Sequence, residues 1–186
     1  MLVLGAAGSF ASVVPQKLMS EPDELYTLRN RFWLGAFQQA VAEGGNLMRL
    51  SDAMKCERDE FVYRSYIAMG QYHVVLSEVS DAPSTPVSLQ AVKLLATYLS
   101  KPDAREMVLM TLNEWLADAQ AANNTTLQLI AAIVYLYEDN VADAIKVVHH
   151  GTTMEHIALL TQVRAARLRA CDASPSSRLW DEHCSA

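Results

Sequence analysis

The chain has 186 residues, 51% of them hydrophobic and 19% charged, a balance that suits one folded domain or a short repeat array and excludes a wholly disordered chain. Fifteen Lys and Arg against 21 Asp and Glu leave a formal charge of -6, which argues against nucleic acid as a partner, since such binding rests on neutralising phosphates. No apolar stretch approaches the ~20 residues of a membrane-spanning helix, and three scattered cysteines, Cys56, Cys171 and Cys184, suit free thiols in a reducing compartment, so a cytosolic protein is expected.

In chain order, residues 1–18 form an apolar leader with Lys17 as its only charged side chain. A secretory signal carries basic residues ahead of its apolar stretch and this one has none, so the leader is read as disordered. The overlapping sequons in Asn123-Asn124-Thr125-Thr126 are then inert, because they matter only in the secretory lumen. Composition changes abruptly at Met19-Ser20-Glu21-Pro22-Asp23, and residues 19–169 read as one helical unit. Within it apolar residues recur three and four apart, as in Leu25, Leu28 and Phe32, and nothing alternates with strand period over any length. The fold class is all-α.

Helix breaks are expected at Gly44-Gly45-Asn46, Asp81 to Pro86, Ser100 to Asp103, Asn123-Asn124 and Gly151, where glycine admits left-handed backbone and proline withholds an amide. Helix starts are expected at Pro22, Ser51-Asp52, Asp103 and Asn124. The string Gly35-Ala36-Phe37-Gln38-Gln39-Ala40 recurs as Gly70 to Val75 after 35 residues and, more loosely, as Asp139 to Ala144 after a further 69, two steps of 34.5. That period is the ~34 residues of a tetratricopeptide unit, two antiparallel helices joined by a tight turn. Between Gly70 and Asp139 the unit is irregular: even spacing puts its turn near Arg105, whereas Ser100-Lys101-Pro102 breaks the chain early. Its helices are Leu89–Leu99 and Ala104–Leu116, and a further helix runs from about Met154 to Leu168. The expectation is a right-handed α-solenoid of tetratricopeptide-like helix pairs, cut off at about four and a half repeats. Residues 170–186 have no apolar period and are read as a disordered tail.

The strings Leu28-Arg29-Asn30-Arg31-Phe32-Trp33-Leu34-Gly35-Ala36-Phe37-Gln38, Glu57 to Gly70 and Leu89 to Leu99 resemble, in order and spacing, the epsilon subunit of the COPI coat. Leu112 to Asp118 and Asn124 to Gln162 continue the resemblance, which starts near Met19 and makes Met19 the natural start. After Gln162 the chain departs from the family, which continues through more helix pairs. A solenoid cut in this way exposes the face its next repeat would cover, so marginal stability is expected. The resemblance implies a non-enzymatic subunit of the coatomer complex. It would bind the carboxy-terminal domain of the coatomer alpha subunit and support Golgi-to-ER and intra-Golgi transport. Its membrane association would be peripheral, through the rest of the coatomer, on the cytosolic face of Golgi membranes and COPI vesicles. A tetratricopeptide adaptor for another peptide client, and a truncated form without function, are the alternatives.

In paired-helix solenoids the first helix of each pair lines the inner face, which projects Arg29, Phe32, Trp33, Arg64, Ile67, Ile133 and Leu136 toward a partner. Phe32, Ile67 and Leu136 suit the packing between repeats equally well, and Arg29 and Arg64 have Glu24 and Glu60 within reach on their own helices. No cofactor or metal is expected. His149, His150, Glu155 and His156 lack the spacing that sets two ligands on one helical face, and Cys171, His183 and Cys184 lack a second pair. Cys56 is an isolated thiol, and Glu57, Asp59 and Glu60 read as a wetted helix face.

Overall fold

The computed structural model describes residues 23–149, 151 and 153–172, and every regular element among them is helical. The first pair is α1 (Tyr26–Trp33) and α2 (Phe37–Asn46), and the second is α3 (Asp52–Ala68) and α4 (Tyr72–Glu78). Next come α5 (Val87–Ser100), a single 3-10 turn (Pro102–Ala104), α6 (Arg105–Ala117) and the four-residue α7 (Ala119–Ala122). The last pair is α8 (Thr125–Tyr137) and α9 (Val141–Val148), followed by α10 (Met154–Asp172). The leader lies outside the described residues, as do residues 173–186 of the expected tail, whereas residues 170–172, read as the start of that disordered tail, continue α10.

One turn closes α1, α3 and α8 in the same way. Gly35, Gly70 and Asp139 take left-handed backbone, with φ of 76, 75 and 55°. Their amides donate to the carbonyls of Phe32, Ile67 and Leu136, while the next amides, of Ala36, Gln71 and Asn140, reach back to Arg31, Tyr66 and Tyr135. This paired 5→2 and 6→1 bonding satisfies helix-end carbonyls and reverses the chain within a few residues. The recurrence visible in the sequence is therefore a repeated backbone conformation. The fourth site is different: Lys101 is extended (φ -128, ψ 98), and the Pro102 turn carries the chain into α6 without a left-handed residue.

Start signals at Ser51 and Asn124 act as expected, each side chain accepting from the third amide of its helix, Met54 and Leu127. The expected start at Pro22 lies outside the described residues, and α1 begins at Tyr26 behind Asp23, whose carboxylate accepts from the Leu25 amide. The expected break at Gly44-Gly45-Asn46 is also displaced: all three residues belong to the last turns of α2. Gly44 serves packing there, since a Cβ on it would lie 2.4 Å from the Val62 side chain of α3.

Each helix packs on its partner and on the next pair: α1 on α2 and α3, α3 on α4 and α5, α5 on α6 and α8, α8 on α9, and α9 on α10. That is the stacking of a helical solenoid. Leu25, Leu28, Ala40, Leu50 and Phe61 bury one small cluster between α1, α2 and α3. A larger one, including Val75, Val92, Leu95, Leu112, Leu127, Ile130 and Val134, joins α4 through α9. Helix α3 stands between them, with Phe61 in the first and Tyr63, Tyr66 and Ile67 against the second. Two tyrosines fasten the irregular unit to α8: Tyr98 donates to Glu138 at 2.5 Å, and Tyr135 donates to Asn113 at 2.5 Å. Burial, with the adjoining Glu138 carboxylate, pushes the Tyr98 phenol up to about 12.

The turn geometry predicts opposite responses at equivalent positions. Gly70→Ala forces a Cβ into left-handed backbone and should cost about 1–2 kcal/mol in urea unfolding. Asp139→Gly relieves that strain while loosening the unfolded chain, and should stay within about 0.5 kcal/mol of the parent.

Candidate functional site

Arg64 lies near the end of α3, and its guanidinium sits over two aromatic rings, Phe32 at 4.9 Å and Phe61 at 5.6 Å. It also donates to Glu155 of α10 at 3.1 Å, across 91 residues of sequence. Both partners of this ion pair are largely withdrawn from water. Phe32 makes edge contacts with Trp33, Phe37 and Phe61, and Trp33 with Phe61, so the end of α1 is an aromatic cluster capped by an arginine. Trp33 remains 56% exposed.

Beside this cluster α3, α8 and α10 border an open cavity of about 350 Å³, lined by Glu57, Glu60, Phe61, Arg64, Thr126 and Leu129 together with Met154 and Glu155. The Thr126 hydroxyl donates to Glu60 at 2.6 Å, which ties α8 to α3. With the Arg64–Glu155 bond, α3 is thus joined to two first helices further along the array. Arg29 closes the other edge, holding Asp23 at 2.5 Å and Glu57 at 2.6 Å. Burial alone would lower its pKa, but the hydrogen bond and charge of Glu57, with Asp23 behind, raise it instead.

Of the seven projected residues, Arg29, Phe32, Trp33 and Arg64 come together at this site. Ile133 and Leu136 do not: they line a separate shallow cavity of about 270 Å³ with Tyr137. Ile67 is half-buried against the larger core. The expected pairing of Arg29 with Glu24 and of Arg64 with Glu60 is replaced by bonds to Asp23, Glu57 and Glu155. Glu24 precedes α1 rather than lying on it, and Glu60 is engaged by the Thr126 hydroxyl, which leaves Arg64 to the mostly buried Glu155 carboxylate. Sequence reading missed Glu155, Thr126 and Met154 as site residues, because their contacts with α3 depend on how the array curves and leave no mark in local periodicity.

His156, whose spacing from the other histidines argues against a metal ligand, is fully buried at the start of α10. Its Nδ1 pairs with the Thr153 hydroxyl at 2.5 Å, while Nε2 has no partner. The ring packs so closely on Gly151 that a Cβ there would fall 2.0 Å from it. No group of three metal-ligating side chains occurs among the described residues. The Cys56 thiol is raised by burial, against a lowering contribution from Ser88 and with Glu60 adding to the rise, so it stays protonated and unreactive.

Stacked helix pairs whose first helices share a cavity define a helical-repeat scaffold, a class that offers surfaces to other chains. Residues 21–173 match the coatomer epsilon subunit family, and the chain belongs to that family. It is 44% identical over 161 residues to "Coatomer subunit epsilon-2" of Arabidopsis thaliana, covering 87% of this chain and 54% of that protein. It is 45% identical over 145 residues to "Coatomer subunit epsilon-1" of the same plant, covering 78% and 49%. With "Coatomer subunit epsilon" of Dictyostelium discoideum the identity is 34% over 146 residues, covering 76% and 49%. The chain spans about half the length of these curated relatives. Coatomer epsilon subunits are structural coat components rather than enzymes. No helix among the described residues is long and apolar enough to cross a membrane.

Burial lowers the His156 pKa from 6.5, partly offset by the neighbouring Glu155 charge, so the folded chain holds a neutral ring. The associated stability is present above 6.5, the unfolded value, and is lost as pH falls below it. Urea midpoints should therefore drop between pH 7 and pH 5, and His156→Leu should flatten that part of the profile whatever its effect at pH 7.

Proposed function

We propose that this chain is a non-enzymatic component of the COPI coat, cytosolic and peripheral on Golgi membranes and COPI vesicles. Its helical unit, residues 19–169, binds the carboxy-terminal domain of the coatomer alpha subunit and so supports Golgi-to-ER and intra-Golgi transport with the rest of the coatomer. Family membership over residues 21–173 supports the coat role. The observation that carries the binding role is the exposed Trp33 beside a cavity walled by α3, α8 and α10. A large aromatic side chain, held by neighbouring rings yet open to water, is the kind of group on which interface energy concentrates.

The grip divides between fixed and adaptable parts. Phe61 and Arg64, locked by Phe32 behind them and by the Glu155 bond, hold the pocket wall without losing side-chain entropy on binding. Met154 presents apolar area from its rim, and Trp33 presents more beside it, against Phe61. Arg29 fixes α1 against α3 and keeps the rim in place. Ile133 and Leu136, with Tyr137, offer a second apolar contact further along the array, and Ile67 supports α3 from the core side.

Co-purification and size-exclusion chromatography of the full chain with the alpha subunit's carboxy-terminal domain should give a stoichiometric complex. Trp33→Ala should weaken it by about tenfold or more. Arg64→Glu should weaken it further, and Arg64→Glu combined with Glu155→Arg should restore folding stability while leaving binding impaired. Full affinity in both single variants would reject this surface.

A further inference from the structure

We propose that the start of α10 is a movable wall of the α3–α8–α10 cavity, docked while the His156 ring is neutral and released when that ring takes up a proton. The device belongs to the chain itself and does not depend on which partner enters the cavity.

Three consecutive residues at the start of α10, Thr153, Met154 and Glu155, line the cavity together with Phe61 and Arg64 of α3, and Glu155 holds Arg64 at 3.1 Å. The next residue, His156, is fully buried. Its amide and its Nδ1 both meet the Thr153 hydroxyl, at 3.4 and 2.5 Å, so the ring and the wall residues form one unit. Whatever displaces the ring displaces the wall.

Nε2 of this ring is the one buried side-chain polar atom without a partner among the described residues. A neutral imidazole carries one N–H and one bare nitrogen, and the Thr153 hydroxyl can serve Nδ1 in either role. The charged ring carries N–H at both nitrogens, so protonation places a donor and a charge where nothing receives them. Gly151 closes one side: a Cβ there would fall 2.0 Å from the ring, a fit that leaves no space on that side for the ring to shift or for water to enter.

Surrounding charges do not hold the protonated ring in place. Glu155 favours the charged form, but its carboxylate is engaged by Arg64, and burial outweighs it. On α9, which packs against α10, Asp143 and Lys146 pair with each other, and His149 is a further titratable group. Glu60 of α3 takes the Thr126 hydroxyl, and the start of α8, Asn124 to Leu127, carries no charge. The proton is therefore accommodated by moving the ring into water. Thr153 to Glu155 move with it, the Arg64–Glu155 bond parts, and the cavity loses its α10 wall. Helix α9 stays on α8 through Ala144 and Val148, so the release ends at the segment that joins α9 to α10.

The sign follows from the two forms of the ring. In water its pKa is the ordinary 6.5, and in the docked form it is lower, so acid favours release. Between pH 7.5 and pH 5.5 the released population should rise about tenfold relative to the docked one.

Hydrogen exchange of the full chain at these two pH values, each divided by the intrinsic exchange rate, tests the device. Amides of residues 157–163 should lose about tenfold in protection at pH 5.5. That opening should depend only weakly on urea up to about 1 M, whereas protection in α3 and α8, which needs global unfolding, falls steeply with urea. His156→Leu should remove the pH step in α10. Gly151→Ala, which pushes the ring out by bulk alone, should expose α10 at both pH values while α8 keeps its protection. Protection in α10 that ignores pH, or that follows urea as steeply as α3 does, would overturn the proposal. So would a pH step that survives His156→Leu, which would assign it to His149, or a Gly151→Ala chain whose α10 stays protected.

Discussion

Short helices are the constraint on which this structure rests. Helix α4 has seven residues and α1 and α9 have eight, lengths at which an isolated helix in water does not persist. Each must be folded back onto its partner, and the left-handed residue at Gly35, Gly70 and Asp139 does this with the same two hydrogen bonds every time. Glycine adopts that backbone without strain, and the third site accepts an aspartate at the cost of some. The result is a set of first helices α1, α3, α5 and α8 that meet one another in succession, with second helices packed outside the same cores.

From that regular stacking arises the most connected side chain of the site. Arg64 touches α1 through Phe32, its own helix through Phe61, and α10 through Glu155. A guanidinium serves here because its flat face rests on aromatic rings while its edge donates to a carboxylate, which a lysine ammonium does less well. The ion pair is mostly removed from water, so its gain in attraction is set against a loss of hydration, and removing one partner leaves the other charge uncompensated. Arg64 thereby fixes the spacing of helices that are far apart in sequence, and the cavity between them keeps its shape before anything enters it.

Much of this architecture is legible in the sequence. The all-α class, the turn at 35-residue spacing, the caps at Ser51 and Asn124, and the family resemblance all follow from local signals. Arg29, Phe32, Trp33 and Arg64 are recoverable because a first helix turns the same face inward in each unit. Ile133 and Leu136 are placed by the same rule, yet they open on a different cavity, because the rule gives a face of a helix and says nothing of which helices converge on it. Glu155 and Thr126 stay hidden for that reason. Gly44 misleads in another way: its lack of a side chain reads as a helix stop, whereas it lets α2 approach Val62 of α3 closely. A glycine signals freedom or closeness, and only the neighbouring helix tells which.

In the irregular unit the repeat gives up its turn. Without a left-handed residue after α5, the chain extends at Lys101 and re-enters helix through Pro102, whose fixed φ suits a first helical turn and whose missing amide costs nothing there. The unit must then be secured by other means, and it is secured by tyrosines. Tyr98, almost wholly buried, bonds Glu138 at the end of α8 and lies under the Arg105 guanidinium, while Tyr135 reaches back to Asn113 of α6. Side chains from both sides of the break thus replace a constraint that the backbone supplies elsewhere. Beyond the break, Met107 and Met110 of α6 remain open to water, as does Lys101 at the end of α5.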